Sequence, residues 1–470
     1  MPQVLEASAA QDGPPAAVGP QPAGELRLLS GWGRTAPTRS LVVAPRSTDE
    51  VLDALGRSGA RGAVARGLGR SYGDAAQNAG GAVLDLRGLR GIRKLDAAAA
   101  SVTVGAGTSL DELTRLLLPQ GLFCPVLPGT AHVTVGGAIA SDIHGKGHHR
   151  DGAFADHVAS IDLVTPGAGT LRIGDDDDEG AFRATAGGMG LTGVVAAATL
   201  RLLPVETSRM LVDTERAADL DDLMERMESG DRHYRYSVAW IDCLARGRSL
   251  GRSVLTRGDH ASADLDGTAE RLALPSGREM AAPPWAPPGL LRPATVRAFN
   301  ELWYRRAPRA ERGAIQTVRQ FFHPLDGIGG WNRLYGPRGF LQYQFVVPFG
   351  REDTVREALE FLSSTGEPSF LAVIKRMGRA GGPLAFPMPG WTLALDLPAG
   401  DAALGSTLDR LDGMVAAAGG RVYLSKDARL RPELLADMYP RLEEWRSVRE
   451  RLDPEGRLRS DLGRRLGLCR

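Results

Sequence analysis

Leu127 to His149 reads LPGTAHVTVGGAIASDIHGKGHH, with five glycines, one proline and four histidines in twenty-three positions and no strand or helix periodicity through the whole of it. Glycine removes the Cβ that would hold a large flat ligand away from the backbone, and it tolerates φ > 0. Successive amides in such a turn also cradle a pyrophosphate. The stretch therefore reads as one half of a cofactor cradle.

The other half lies upstream. From Leu41 the pattern is short and alternating: LVVAP, then a helix over Ser47–Ser58 with Asp49 and Glu50 in its first turn, where carboxylates complement the helix dipole. Strands are predicted at Ala63–Arg66, Ala82–Leu86 and Ser101–Val104, with a helix over Ser109–Leu118. Strands alternating with helices make this an α/β or α+β unit. The loop Arg66-Gly67-Leu68-Gly69-Arg70-Ser71-Tyr72-Gly73-Asp74 carries a GxG whose third Rossmann glycine is replaced by Tyr72, and it has no GK[ST]. In isolation it is an ordinary tight turn; beside the first stretch it fits a nucleotide cofactor held by two glycine loops. Downstream come a strand at Ala159–Val164, an acidic run Asp175–Glu179 that reads as a solvated turn or helix start, and Gly187-Gly188-Met189-Gly190-Leu191-Thr192-Gly193 leading into the strand Val194–Leu202. That turn is a third place where backbone can approach a ligand.

The chain has 470 residues, too many for one ordinary core, so two domains are expected. Lys+Arg number 57 against Asp+Glu 56, with no long basic block, and nucleic-acid binding has no electrostatic footprint. Cys124, Cys243 and Cys469 are scattered and odd in number, which argues against a disulfide framework or a CxxC metal site and fits a reducing, cytoplasmic setting. The N-terminus through Gly24 is rich in Ala, Pro, Gly and Gln and lacks the n- and h-regions of a signal peptide; it is expected to be a disordered tail. No apolar run reaches the roughly 20 residues of a bilayer crossing.

The ARGLGRSYGD loop, the PGT…TVGGAIASDIHGK stretch and the GGMGLTG turn, in this order, resemble the FAD-binding half of the vanillyl-alcohol-oxidase (PCMH-type) flavoproteins. Within that family the chain resembles the polyprenylphosphoryl-ribose oxidases, and the similarity runs on through SVAWID, FFHPLDGIGGWNRLYGPRGFLQYQFVVP, FPMPGW and RVYLSKDAR. The resemblance implies an α+β, two-domain fold: residues 25–206, closed by 421–470, binding FAD, and 207–420 forming an antiparallel-sheet substrate cap. Within the cap, Pro275 to Pro293 is so rich in proline that it is expected to be a flexible loop.

By resemblance the first loop contributes Arg66, Gly67, Leu68, Gly69, Arg70, Ser71, Tyr72 and Gly73 to FAD. The second contributes Gly129, Thr134, Val135, Gly136, Gly137, Ser141, Asp142, Ile143 and His144; Val195 and Tyr423 complete the set. Relatives that bind FAD covalently offer a histidine in the first loop, where this chain has Arg70 and Ser71, so non-covalent FAD is expected. Oxidation of an alcohol by a flavin needs a group that takes the hydroxyl proton. His144 is a titratable candidate, and it equally suits a purely hydrogen-bonding role at the isoalloxazine edge; a zinc site with His148 and His149 lacks the accompanying ligands. Lys426 maps onto a lysine placed near flavin and substrate, and a desolvated lysine there can accept a proton. Tyr72 joins them as a catalytic candidate.

Lys146, Trp240, Phe322, Gln344, Lys375, Thr392 and Ala394 map onto the substrate side. As a strand, Phe340–Pro348 puts Gln342 and Gln344 on one face and Phe345 on the other. The chain departs from the family pattern at Thr392 (in place of Asn), Ala394 (Cys), Phe322 (Tyr) and Val238 (Ser), which leaves the sugar and its lipid open. The resemblance implies oxidation of the C2 hydroxyl of polyprenylphosphoryl ribose to a ketone, the first half of an epimerisation toward the arabinose donor of cell-wall arabinan. It also implies an NADH-dependent short-chain reductase as partner and peripheral membrane contact at the inner face of the plasma membrane, with Trp285, Leu290 and Leu291 as candidate anchors. The alternatives are a soluble polyol, aldonolactone or nucleoside sugar as substrate, and a flavin-binding scaffold without turnover.

Overall fold

The computed structural model describes residues 24–265, 270–274, 280–282, 291–369 and 371–469. The stretch 1–23 and most of the proline-rich loop, Trp285 and Leu290 included, lie outside the described residues.

The N-terminal half builds two sheets. A four-stranded sheet has the order Glu25–Leu29, Thr38–Val43, Ala82–Asp85, Ala63–Arg66; its first pair is antiparallel and the others parallel. The helix Thr48–Gly56 is the crossover between two of these strands; Ser47 caps it by accepting from the Glu50 amide, and Val51, Ala54 and Leu55 are its buried face. A five-stranded antiparallel sheet follows, in the order Ile92–Asp96, Ser101–Gly105, Val194–Arg201, Val158–Thr165, Gly169–Gly174. The helix Leu110–Leu117 opens on a complete capping box between Ser109 and Glu112 and buries Leu110, Leu113 and Leu117. Asp175 pairs with Arg201, and Asp177 accepts from the amides of Glu179 and Phe182, so the acidic run is a turn leading into a helix.

The rest of the chain is dominated by an eight-stranded antiparallel sheet, in the order Ala310–Thr317, Arg209–Ala217, Ser253–His260, Tyr236–Ile241, Ala372–Met377, Gly390–Pro398, Phe340–Pro348, Arg421–Val422. The fold is α+β, as read from the sequence. Side chains alternate across these strands. Leu255, Ala239, Ile374, Leu393, Leu395 and Phe345 are buried on one face, which packs under the helices Glu352–Thr365 and Ala402–Ala417. Truncating one such leucine to alanine costs about 2–5 kcal/mol. The other face turns toward the glycine loops.

The C-terminal residues return to the first sheet. Arg459 donates its amide to Ala63 and Ala63 donates to Arg457, which extends that sheet at its open edge. Arg465 binds Asp74 through two nitrogens, at 2.8 and 3.0 Å, and Asp427 at 2.9 Å. The loop after Arg66 is thereby tied to the segment that carries Lys426.

Candidate functional site

Between the glycine loops and the free face of the large sheet lies a cavity of about 810 Å³, large for a small-molecule site, which spans about 300–1,000 Å³. All three glycine stretches reach it. In the first, Arg66 folds its guanidinium back onto the carbonyls of Ala76 and Ser30 at 2.9 and 2.8 Å and holds the loop closed. Gly69 takes the left-handed conformation at φ 65°, and Tyr72 hangs its amide on the Ser425 carbonyl at 3.0 Å. The Arg70 guanidinium lies 3.9 Å over the Trp32 ring. Arg66, Gly67, Leu68, Gly69, Arg70, Ser71 and Tyr72 all line the cavity; Gly73 does not, because its backbone is pressed against the Asp427 carbonyl.

In the second stretch, Val135–Ala140 is a short helix whose cap is Thr134, with Oγ1 accepting from the Gly137 amide at 3.3 Å. A Cβ on Gly67 would stand 2.1 Å from that same Oγ1, so the two loops interlock where glycine permits. Met189 and Gly187 of the third stretch donate to the Ala140 and Ile139 carbonyls and clamp the helix at its other end. Gly129, Thr134, Gly136, Gly137, Ser141, Ile143, His144 and Val195 reach the cavity. Val135 and Asp142 face away from it: Val135 is buried in the core, and Asp142 accepts from the Ala155 amide at 3.1 Å. A Cβ on Gly129 or Gly190 would meet no protein atom within 4 Å, although both line the cavity. Such open, side-chain-free backbone between three turns fits an extended cofactor with a flat ring, and FAD fits it.

The sheet supplies the opposite wall from a single face. Val238 and Trp240, Val373 and Lys375, Ala394 and Asp396, and Gln342 and Gln344 are paired or adjacent across the register, and all line the cavity. Phe322 joins them from a cluster with Tyr236 and Phe123, at ring distances of 4.9 and 5.6 Å. Thr392 sits one step back and positions a neighbour. Its hydroxyl donates to the Phe345 carbonyl at 2.8 Å and accepts from the Gln344 amide nitrogen at 3.1 Å.

That orientation decides the tautomer of His144, which an isolated bridge to Ala153 holds in place. The Gln344 nitrogen lies 3.0 Å from His144 Nε2 and donates to it. A neutral imidazole has one donor, so the proton sits on Nδ1, 3.1 Å from Lys375 Nζ. An ammonium cannot accept, so this bond forms only with the neutral form of Lys375, and the cationic form beside the ring opposes a proton on His144. Burial draws this lysine down to about 8, which makes the neutral amine accessible. Burial and Lys375 together hold the His144 imidazolium well below the usual range. His148 and His149 have other partners: His148 Nδ1 accepts from the Gly378 amide at 3.0 Å, and His149 Nε2 donates to the Asp231 and Tyr234 carbonyls.

Two more lysines, partly buried in the cavity wall, complete this end. Lys146 donates to the Phe321 carbonyl and lies 4.3 Å over its ring; burial, then Lys375, brings it to about 7. Lys426 Nζ sits 3.8 Å over the Tyr72 ring. Burial lowers Lys426 and raises the carboxyl of Asp396, whose field acts back on the lysine. Asp396 accepts from the Tyr335 hydroxyl at 3.4 Å and from the Gln342 amide. Tyr423 lines the cavity and donates its hydroxyl to the Ser141 carbonyl at 2.8 Å. Asp396, Tyr335 and Ser425 went unnoticed in the sequence. The signal for Asp396 was there: one carboxylate in the otherwise apolar strand WTLALDLP, two residues past Ala394.

The FAD binding domain family matches residues 39–174, and the D-arabinono-1,4-lactone oxidase family matches residues 403–466. Decaprenylphosphoryl-β-D-ribose oxidase of Mycolicibacterium smegmatis is 42% identical over 453 residues, 94% of this chain and 98% of that protein. Alditol oxidase of a Streptomyces species is 33% identical over 37% of this chain and 42% of its own length. L-gulono-1,4-lactone dehydrogenase of Mycobacterium tuberculosis is 27% identical over 48% of this chain and 52% of its own length. The first likeness spans both walls of the cavity, the other two less than half of the chain. On the geometry of three interlocked glycine turns, the FAD binding domain match and the similarity over 94% of the chain to one sugar oxidase, this chain belongs to the FAD-dependent sugar-alcohol oxidoreductase family that includes decaprenylphosphoryl-β-D-ribose oxidase.

Proposed function

We propose that the protein oxidises the C2 hydroxyl of a polyprenylphosphoryl-β-D-ribose to the 2-ketone. The observation that carries this is the 42% identity to decaprenylphosphoryl-β-D-ribose oxidase over nearly the full length of both chains. In this reading residues 25–206 and 421–470 hold FAD without a covalent bond, and 207–420 cap it. FAD supplies the two-electron acceptor for the hydride leaving C2. Lys426 takes the hydroxyl proton on Nζ, because burial favours its free amine and the Asp396 carboxylate stabilises the ammonium that forms. Tyr72 packs its ring under that nitrogen. His144 is the poorer base, since both its ring nitrogens are occupied by Gln344 and Lys375; it orients the ring edge of the cofactor instead. Lys146 and Lys375, both partly buried in the cavity wall, answer the phosphodiester, and Trp240 forms a floor for the furanose.

The ketone is then reduced from the other face by an NADH-dependent short-chain reductase, which completes the epimerisation. A lipid-linked substrate requires peripheral contact with a membrane; among the described residues no helix is long and apolar enough to cross one. Leu291, one of the anchors read from the sequence, packs inward against the Trp331, Tyr335 and Phe340 cluster. The test is turnover of a prenylphosphoryl ribose deuterated at C2. A ketone that has lost the label supports the reading, and turnover of alditols or aldonolactones alone moves the substrate to the soluble class.

A further inference from the structure

We propose that the outward face of the helix Pro293–Arg306 docks the protein onto an anionic lipid surface and turns the mouth of the cavity toward the bilayer. The proposal rests on the lipid-linked substrate argued above. The helix is anchored by one stripe: Val296 and Asn300 are buried, Asn300 donates to Asp242 at 2.7 Å, and the Tyr304 hydroxyl donates to the Ala217 carbonyl at 3.2 Å. A second stripe, Phe299, Leu302, Trp303 and Arg306, has the i, i+3, i+4, i+7 spacing of an apolar face and points outward. Leu302 is 65% exposed and Trp303 48%. A surface helix already anchored by one face, whose outer face still carries Phe299, Leu302 and Trp303 exposed, has a partner to meet on that outer face.

The position and charge of the stripe name that partner. Trp303 and Arg306 also line the cavity, with Ala307 and Pro308 directly after them, so the stripe is the lip of the site. Residues 292–312 hold six arginines against two glutamates, in a chain whose net charge is only +1. Arg305 keeps 76% of its side chain exposed even while paired with Glu301. Tryptophan and leucine flanked by arginine on one helix face is the composition of an interfacial helix on acidic lipid. A lip of this kind lets a polyprenyl chain remain among lipid tails while its sugar phosphate reaches the lysines lining the cavity.

The experiment is co-sedimentation of the full chain, with FAD bound, on vesicles of phosphatidylcholine with and without phosphatidylglycerol. The wild type is expected to sediment only with the acidic vesicles. One arginine near an acidic surface changes partitioning by about fivefold, so Arg305→Glu with Arg309→Glu should lower it by at least about twentyfold. Leu302→Ser alone should lower it in both salt and no salt, and none of these residues lines the cavity. Bleaching of the flavin by a short-chain, water-soluble prenylphosphoryl ribose should be unchanged in every variant. Wild type that stays in the supernatant with acidic vesicles, or charge-reversed variants that sediment as well as wild type, overturns the docking surface. If such protein is still bleached by the substrate in detergent, the substrate reading survives that failure; vesicle binding as expected without any bleaching by lipid-linked ribose sinks the substrate reading and leaves the surface standing.

Discussion

Gly67→Ala should release FAD by breaking the interlock of two loops. The new Cβ would stand 2.1 Å from Thr134 Oγ1, 2.9 Å from its Cγ2 and 3.1 Å from its Cβ, so no rotamer of the threonine clears it. The first loop and the helix Val135–Ala140 must then part by about 1 Å, or the cap on the Gly137 amide must be given up. Overpacking of this kind costs about 1–3 kcal/mol and a lost threonine cap about 1 kcal/mol. Either way about 1–3 kcal/mol, felt where both loops face the cofactor, corresponds to roughly a five- to 150-fold loss of FAD affinity. The assay is titration of apoprotein with FAD, followed by the flavin fluorescence that binding quenches. Gly129→Ala is the companion: its Cβ meets no protein atom within 4 Å, so apoprotein melting should be unchanged while FAD affinity falls. Gly67→Ala protein that binds FAD as tightly as wild type would refute the claim that these loops hold the cofactor together.

Lys426→Met should keep FAD bound and slow flavin reduction by substrate on the order of 10²–10⁴-fold, the range for loss of a general base; reduction at the wild-type rate removes Lys426 from the chemistry. Asp396→Asn should move the acid limb of the pH–rate profile for flavin reduction to lower pH. The carboxylate raises the lysine, and without it the free amine persists further into acid; a shift to higher pH contradicts the assignment of Lys426 as base. Lys375 titrates near 8 in the fold and near 10.4 when unfolded. Its burial therefore costs stability fully below about pH 8, and the cost fades as pH rises to 10.4. Lys375→Met apoprotein should be more stable than wild type by about 3 kcal/mol at neutral pH, with the difference closing between pH 8 and 10.4; denaturant melts at several pH values read it, and a difference independent of pH would show that Lys375 is not buried as a cation.

The glycine turns were legible because their reason is local: a position that needs φ > 0 or a missing Cβ announces itself as glycine. The helix Val135–Ala140 inside the second turn was not. Its six residues include Gly136 and Gly137, poor helix formers, and it exists because Thr134 caps it and Val135, Ala138 and Ile139 are buried against the core. The same short helix explains why Val135 faces away from the cavity that its neighbours line. Gln342 and Gln344 were placed correctly on one face by the period of a strand, with Phe345 buried on the other. Asp396 escaped notice because its partners, Tyr335 and Gln342, are more than fifty residues distant in the chain and only the sheet register brings them together. The role of Thr392 likewise depends on a cross-strand hydrogen bond to Gln344 that no linear motif displays.

The most direct test of the account is anaerobic mixing of the FAD-loaded protein with a prenylphosphoryl ribose in a stopped-flow spectrophotometer. The account predicts that the visible flavin absorbance bleaches in a single turnover, faster as pH rises through the titration of Lys426. A flavin that dithionite bleaches but the sugar phosphate leaves oxidised at every pH would contradict it.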